Sequence, residues 1–325
     1  MSKNRVTEIL NIEYPVVQAS MSWINSAELA AAVSNAGGMG VLGPNAGQDT
    51  LTTDPVETAI RMRNEIKKTR ALTDKPFAVQ YFIPMQGDPY GFSTNILNVI
   101  REENVKYLLV LGMGLGNEAE AVSDLKKEGF TVIYRDLNPT VESAKNIEAA
   151  GADIIIATGY DEGGGVPSHA IGTMTIVPLI ADAVKIPVLA AGGIVDNRGV
   201  KASLILGAEG VYVGTLFITS LECPASDECK QDIVNAKTED LIEVGTISTW
   251  RCTPHKLSLE LHAMEQNGVT KEEINTKLSN GSLRLGMREG NLDAGIVSVS
   301  NAVGLIKSIK SCKEIVDDLM KDVVF

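Results

Sequence analysis

The sequence contains little that would serve a membrane or a metal ion. No run approaches the roughly 20 uninterrupted apolar residues of a transmembrane helix, and the N-terminal segment MSKNRVTEILNIEYP has no signal-peptide core or cleavage-site pattern. The cysteines at 223, 229, 252 and 312 form no CxxC pair. Free thiols in a reducing compartment are therefore expected, and a metal site is not. These absences favour a cytoplasmic protein without a membrane partner.

Positive charge is also scarce. The chain has 29 Lys and Arg against 41 Asp and Glu, which gives a net charge of −12. Nucleic acids and anionic membranes select for clustered basic residues, so this balance argues against both as partners. An anionic ligand would have to be held locally, by backbone amides.

What the chain does contain is a regular alternation of short β-branched runs and helical segments. Parallel strands require crossover helices and barrel closure removes both sheet edges, so the pattern predicts an α/β fold, a (β/α)8 TIM barrel. A doubly wound open sheet is the alternative, although it would usually need fewer strands. The predicted strands are Val16–Gln18, Met39–Leu42, Phe77–Tyr81, Tyr107–Leu111, Thr131–Tyr134, Ile154–Ala157, Val188–Ala191 and Gly210–Val213.

The alternation stops between residues 221 and 288, where the sequence becomes polar and helical. This segment is short and has few apolar positions, so it predicts a small C-terminal helical appendage, or lid, and not a second folding domain. Residues 1–220 and 289–325 would then form the barrel. The oligomeric state is left open, with a homodimer among the options.

Glycines punctuate the last two barrel strands. Gly192-Gly193 follows the seventh strand and precedes a helix, and Gly214-Thr215 closes the eighth. Glycine lets the backbone approach an anion closely, and the end of a TIM barrel commonly holds a phosphate site. The pattern indicates such a site, with two ordinary tight turns as the alternative. The predicted loops hold few acids or bases, which suits a cofactor that carries the reactive chemistry itself.

Several segments in matching order resemble the nitronate monooxygenase family, formerly called 2-nitropropane dioxygenase. This family includes the flavin-dependent enoyl-acyl-carrier-protein reductase II. The resemblance extends through all eight predicted strands. Its motifs are Tyr14-Pro15, the loop Gln18–Met21, the turn Ala36–Gly40, Lys75-Pro76-Phe77, ATGYDEGGG, IPVLAAGGI, GAEGVYVGTLF and Asp293–Gly295.

The resemblance implies one noncovalent FMN in the barrel. The phosphate would lie at Ala191, Gly192 and Gly193 and at Gly214 and Thr215, in agreement with the glycine pattern. The flavin ring would lie along Ala19, Ser20 and Met21. Gln80 stands where the family usually has Asn, and its amide could pair with the pyrimidine edge of the flavin or with nearby backbone.

The sixth loop departs from the family pattern. Relatives commonly have a catalytic His there, in the motif Glu-Ala-Gly-Gly-His, but this chain has Gly165 at that position. His169 lies four residues later and is a candidate base, with an exposed loop histidine as the alternative. Asp161 and Glu162 are further candidate bases, and either could instead cap the next helix or face water.

Three functions agree with this sequence. The favoured one is oxidation of alkyl nitronates by oxygen through FMN. Because a nitronate is already deprotonated, the missing histidine counts against this function without excluding it. The alternative is an NAD(P)H-dependent flavin reductase that acts on a quinone, an activated alkene or an enoyl thioester. The third is a flavin-binding protein without turnover, which the glycine at position 165 makes conceivable.

Overall fold

The computed structural model describes residues 4–85, 87–245, 248–279 and 281–324. Strands are numbered in chain order: β1 (Val16–Gln18), β2 (Gly40–Leu42), β3 (Phe77–Phe82), β4 (Tyr107–Gly112), β5 (Thr131–Asp136), β6 (Ile154–Thr158), β7 (Gly164–Val166), β8 (Val188–Ala191), β9 (Gly210–Val213), β10 (Ile242–Gly245) and β11 (Thr249–Cys252).

Eight of these strands form a parallel barrel, as the sequence predicted. Their order is β1-β9-β8-β6-β5-β4-β3-β2, and a parallel bridge between Val17 and Met39 joins the first strand to the last. Side chains alternate across each strand, so that Leu109 packs inside the barrel while Leu108 and Val110 face the surrounding helices. The carboxyl ends of all eight strands therefore meet at one mouth.

The helices surround the barrel, close its far end and form part of the appendage. They are α1 (Arg5–Leu10), α2 (Ala27–Asn35), α3 (Pro55–Leu72), α4 (Phe92–Glu102), α5 (Glu118–Lys127), α6 (Val141–Ala149), α7 (Thr173–Ala181), α8 (Asn197–Ile205), α9 (Thr215–Ile218), α10 (Asp227–Asn235), α11 (Lys256–Gln266), α12 (Lys271–Leu278) and α13 (Cys312–Met320). Val6 and Leu10 of α1 join the interior cluster of the barrel. Within the described residues, no helix is long and apolar enough to cross a membrane.

The appendage contains the predicted helices α10 to α12 and also two strands that the sequence did not reveal. β10 and β11 pair antiparallel, and β11 pairs in turn with β7 from the sixth barrel loop. Val244, Leu261 and Ile274 form a small core of their own in this region. Only four residues long each, β10 and β11 give a weak local signal, and the second partner of β11, strand β7, lies more than 80 residues earlier in the chain. This sheet fixes the appendage over the barrel mouth.

Candidate active site

A cavity of about 530 Å³ lies at the carboxyl ends of the barrel strands. Its volume falls in the range of roughly 300–1,000 Å³ that is typical of small-molecule sites. All nine residues predicted to bind the cofactor line it: Ala19, Ser20, Met21, Gln80, Ala191, Gly192, Gly193, Gly214 and Thr215. The barrel thus brings together side chains that are up to 196 residues apart in sequence.

The two glycines after β8 form one side of this cavity. Gly192 has φ +106° and Gly193 has φ +72°, conformations that L side chains rarely adopt. A Cβ on Gly192 would lie 2.7 Å from Thr173 Oγ1, which itself donates to the Gly192 carbonyl over 2.9 Å. The turn therefore requires glycine for two reasons, its backbone conformation and its close packing.

Hydroxyl groups lie on the same side of the cavity. The Ser300 amide donates to Thr215 Oγ1 over 3.0 Å, while the buried Ser300 Oγ has no hydrogen-bond partner among the described residues. An orphaned buried hydroxyl costs free energy unless a ligand satisfies it. The donor set of a glycine turn and two hydroxyls fits a phosphate group.

The loop after β1 is held by hydrogen bonds at another side of the cavity. The Ser20 amide donates to the Tyr212 hydroxyl over 2.8 Å, and the Ser20 hydroxyl donates to Gln80 Oε1. The Met21 amide donates to Asn25 Oδ1 over 2.6 Å. These contacts fix the loop as a rigid edge that a planar ligand can lie against.

Glu162 and Arg135 form a buried ion pair in the cavity wall. Arg135 Nη2 donates to Glu162 Oε2 over 2.5 Å, and Glu162 is only 8% exposed. Burial raises the pKa of Glu162 to about 7, against the lowering effect of Arg135 and Arg251. Arg135 was not among the residues predicted from the sequence, although a charged residue at the carboxyl end of a barrel strand was an available signal.

The other two candidate bases do not line the cavity. Asp161 accepts from the Thr173 amide over 2.7 Å and from Asn301 Nδ2 over 3.2 Å, so it caps the start of α7. Burial alone would raise the pKa of Asp161, but these hydrogen bonds outweigh it and lower the pKa below its usual value. His169 is exposed and lies beside a small separate cleft near Pro139.

Gly165 lies in β7, where it pairs with Trp250 of β11. A Cβ added to Gly165 would meet Ser248 Oγ at 3.2 Å. Both Gly165 and Trp250 line the cavity. At the position of the family's histidine, β7 and β11 together therefore form the wall of the cavity. Among the residues that the structure describes, no His, Cys, Asp and Glu group is arranged to hold a metal ion.

Comparison with known proteins agrees with this architecture. The family model described as nitronate monooxygenase matches residues 3–322. The probable nitronate monooxygenase of Staphylococcus haemolyticus is 35% identical over 75% of this chain and 76% of its own length.

Several known proteins match nearly the whole chain, two of them as follows. The structure of FabK from Thermotoga maritima has a TM-score of 0.85 and 33% identity, and the match covers 99% of this chain and 96% of that one. A relative in Rhodococcus jostii, (3aS,4S,5R,7aS)-5-hydroxy-7a-methyl-1-oxo-octahydro-1H-indene-4-carboxyl-CoA dehydrogenase, is 28% identical over 99% of this chain and 96% of its own. The chain is an oxidoreductase that belongs to the nitronate monooxygenase family.

Proposed function

We propose that this chain is an FMN-dependent oxidoreductase that transfers hydride from NAD(P)H to the double bond of an enoyl thioester or a similarly activated alkene. Members of the nitronate monooxygenase and FabK family are flavoproteins, which supports the choice of cofactor. The flavin supplies hydride transfer between the nicotinamide and the substrate. The protein supplies binding and orientation.

The residues present fit FMN. The turn at Gly192 and Gly193, with the hydroxyls of Thr215 and Ser300, would hold the phosphate. The fixed loop at Ser20 and Met21 would support the ring system, with the Gln80 amide available to its polar edge. The observation that carries the cofactor assignment is the buried Ser300 hydroxyl, which has no hydrogen-bond partner among the described residues, together with a turn whose left-handed backbone favours glycine.

The apolar part of the cavity favours a thioester with an acyl chain. Phe82 of β3, Leu111 of β4 and Met113 line it from the barrel, and Leu283 and Met287 line it from the appendage. An alkyl nitronate is small and would leave much of this surface uncovered, whereas an acyl chain would bury it at about 25 cal/mol per Å². FabK and the carboxyl-CoA dehydrogenase, which are among the relatives that match nearly the full length, support this preference.

Oxidation of alkyl nitronates is the second candidate. The relative from Staphylococcus haemolyticus favours it, and Gly165 does not oppose it, because a nitronate carries no proton to remove. The cytoplasmic location, the division into barrel and appendage, and a homodimer stay predictions.

Anaerobic reduction of the purified holoprotein distinguishes the candidates. The yellow protein is mixed separately with NADH, NADPH and propionate 3-nitronate, and flavin absorbance is followed. The reduced protein is then mixed with crotonyl-CoA. We expect bleaching by a reduced nicotinamide and recovery of the colour with crotonyl-CoA.

Other outcomes have definite meanings. Rapid bleaching by the nitronate alone would move the assignment to the second candidate. A protein that binds FMN but is bleached by no donor would be a flavin-binding protein without turnover. A protein that cannot take up FMN would refute the cofactor assignment.

A further inference from the structure

The cavity offers one side chain suited to exchanging a proton with a substrate. Four titratable side chains line it among the described residues: Arg135, Glu162, Tyr212 and Lys271. Arginine stays protonated in proteins. Burial raises the pKa of Tyr212 to about 12, and Lys271 is exposed at the start of α12. Glu162 is the remaining group.

The backbone of Glu162 is fixed on both sides. Its amide donates to the Gly159 carbonyl over 3.1 Å, and its carbonyl accepts from Arg251 Nη1 over 2.6 Å. Arg251 is itself held by Glu243 Oε1 over 2.9 Å and by the ring of Tyr160, whose centroid lies 5.0 Å from its guanidinium carbon. The appendage sheet thus holds the Glu162 loop in one position.

The carboxyl group has one engaged oxygen and one free oxygen. Oε2 accepts the hydrogen bond from Arg135, whereas the buried Oε1 has no hydrogen-bond partner among the described residues. A carboxyl group held in this way can carry a proton on Oε1 while Oε2 stays bonded to the guanidinium. It can then lose that proton, since Arg135 balances the resulting negative charge.

We propose that Glu162 donates the substrate proton, in place of the histidine that Gly165 replaces, with Arg135 as the positioning residue. This inference rests on the proposed function. In enoyl thioester reduction, the β-carbon receives a hydride that originates from NAD(P)H. The hydride carries two electrons and one proton. The α-carbon receives the proton from Glu162, which is left as a carboxylate paired with Arg135. Water entering the cavity restores the proton after product release.

The ionisation of Glu162 agrees with this role. Arg135, Arg251 and Tyr212 are the charged or titratable groups that act on it. With its pKa raised to about 7, the carboxyl group is substantially protonated near neutral pH, as a general acid must be. The proton transfer should therefore slow as the pH rises through that value.

The test compares Glu162→Gln with Glu142→Gln, a matched substitution at an exposed position on α6. Both FMN-loaded variants are reduced with NADPH and then mixed with crotonyl-CoA under anaerobic conditions. Glu162→Gln should be reduced at a rate close to wild type, because hydride transfer to the cofactor needs no proton from Glu162. Its reoxidation by crotonyl-CoA should slow by about 10²–10⁴-fold, the usual contribution of general acid catalysis. The residual rate should lose its dependence on pH near 7.

A measurement without turnover tests the same ionisation. A carboxyl group with a raised pKa in the folded protein binds its proton more tightly there than in the unfolded chain. Its contribution to stability therefore declines as the pH rises from the usual value of 4.5 to about 7. Urea unfolding should show Glu162→Gln gaining stability relative to wild type across this pH range, with no such trend for Glu142→Gln.

The outcomes separate this inference from the proposed function. Reoxidation of Glu162→Gln within tenfold of wild type would overturn the role of Glu162 while leaving the proposed function intact. A wild-type protein that NADPH reduces but crotonyl-CoA does not reoxidise would overturn the proposed substrate, and the donation of a substrate proton with it. If Glu162→Gln loses FMN, Glu162→Asp takes its place. The shorter carboxyl group should keep the dependence on pH at a reduced rate, and wild-type reoxidation would count against the proposal.

Discussion

The glycine turn after β8 permits a quantitative test of the phosphate site. Alanine at position 192 would be forced into φ +106°, and a left-handed backbone costs an ordinary residue roughly 1–2 kcal/mol or more. Its Cβ would also meet Thr173 Oγ1 at 2.7 Å and the Gly159 carbonyl oxygen at 2.9 Å, so the turn must shift by several tenths of an ångström. We expect Gly192→Ala to weaken FMN binding at least tenfold, equivalent to about 1.4 kcal/mol.

Gly129→Ala is the matched control. Gly129 has φ +90° but follows α5, and a Cβ there would meet nothing within 4 Å. Both variants should lose stability in urea, through the same backbone effect, while equilibrium dialysis of FMN against the apoproteins should separate them. If Gly192→Ala binds FMN as tightly as Gly129→Ala does, this turn does not hold the phosphate.

Three further substitutions test the sixth loop. Asp161→Ala removes the hydrogen bond to the Thr173 amide and should lower the unfolding free energy by about 1–2 kcal/mol. The pKa of Asp161 is lowered in the folded protein, so this loss of stability should be complete at pH values above 3.8, the usual pKa of an aspartate. The loss should shrink as the pH falls below 3.8, which urea unfolding at a series of pH values would measure. His169→Ala should leave turnover with NADPH and crotonyl-CoA unchanged, because the side chain lies outside the cavity, and a large loss would restore it as a candidate base. Gly165→His should fold with an unfolding free energy within about 1 kcal/mol of wild type. Its backbone is not left-handed and, among the described residues, the atom closest to an added Cβ is Ser248 Oγ, so loss of cooperative unfolding would contradict this geometry.

Local sequence patterns were sufficient for the barrel and for the glycine turns. Alternation along β4, with Leu109 inside and Leu108 outside, depends only on the two-residue period of a strand. Gly192 and Gly193 could be recognised because their backbone requirement excludes most other residues. The predicted strand bounds differ from the structure by at most two residues, because strand ends depend on neighbouring strands as well as on their own residues.

The roles of the three residues in the sixth loop could not be read in the same way. Asp161 and Glu162 are adjacent acids that the sequence does not distinguish as candidate bases. His169 is the residue that side-chain chemistry alone favours as a base. Packing separates the two acids. Asp161 points to the start of α7, and Glu162 meets Arg135, which lies 27 residues earlier in the chain.

The sequence by itself determined the α/β class, the eight strands and the family, and it predicted nine of the residues that line the cavity. Each of these follows from short periodicities or from motifs of neighbouring residues. Only the tertiary structure decided which of the two acids lines the cavity. It also decided that β11 of the appendage pairs with β7, the strand that contains Gly165. Those contacts join residues tens of positions apart, and their energies depend on burial and on the partner's location. Neither the burial of a residue nor the location of its partner can be predicted from the local sequence.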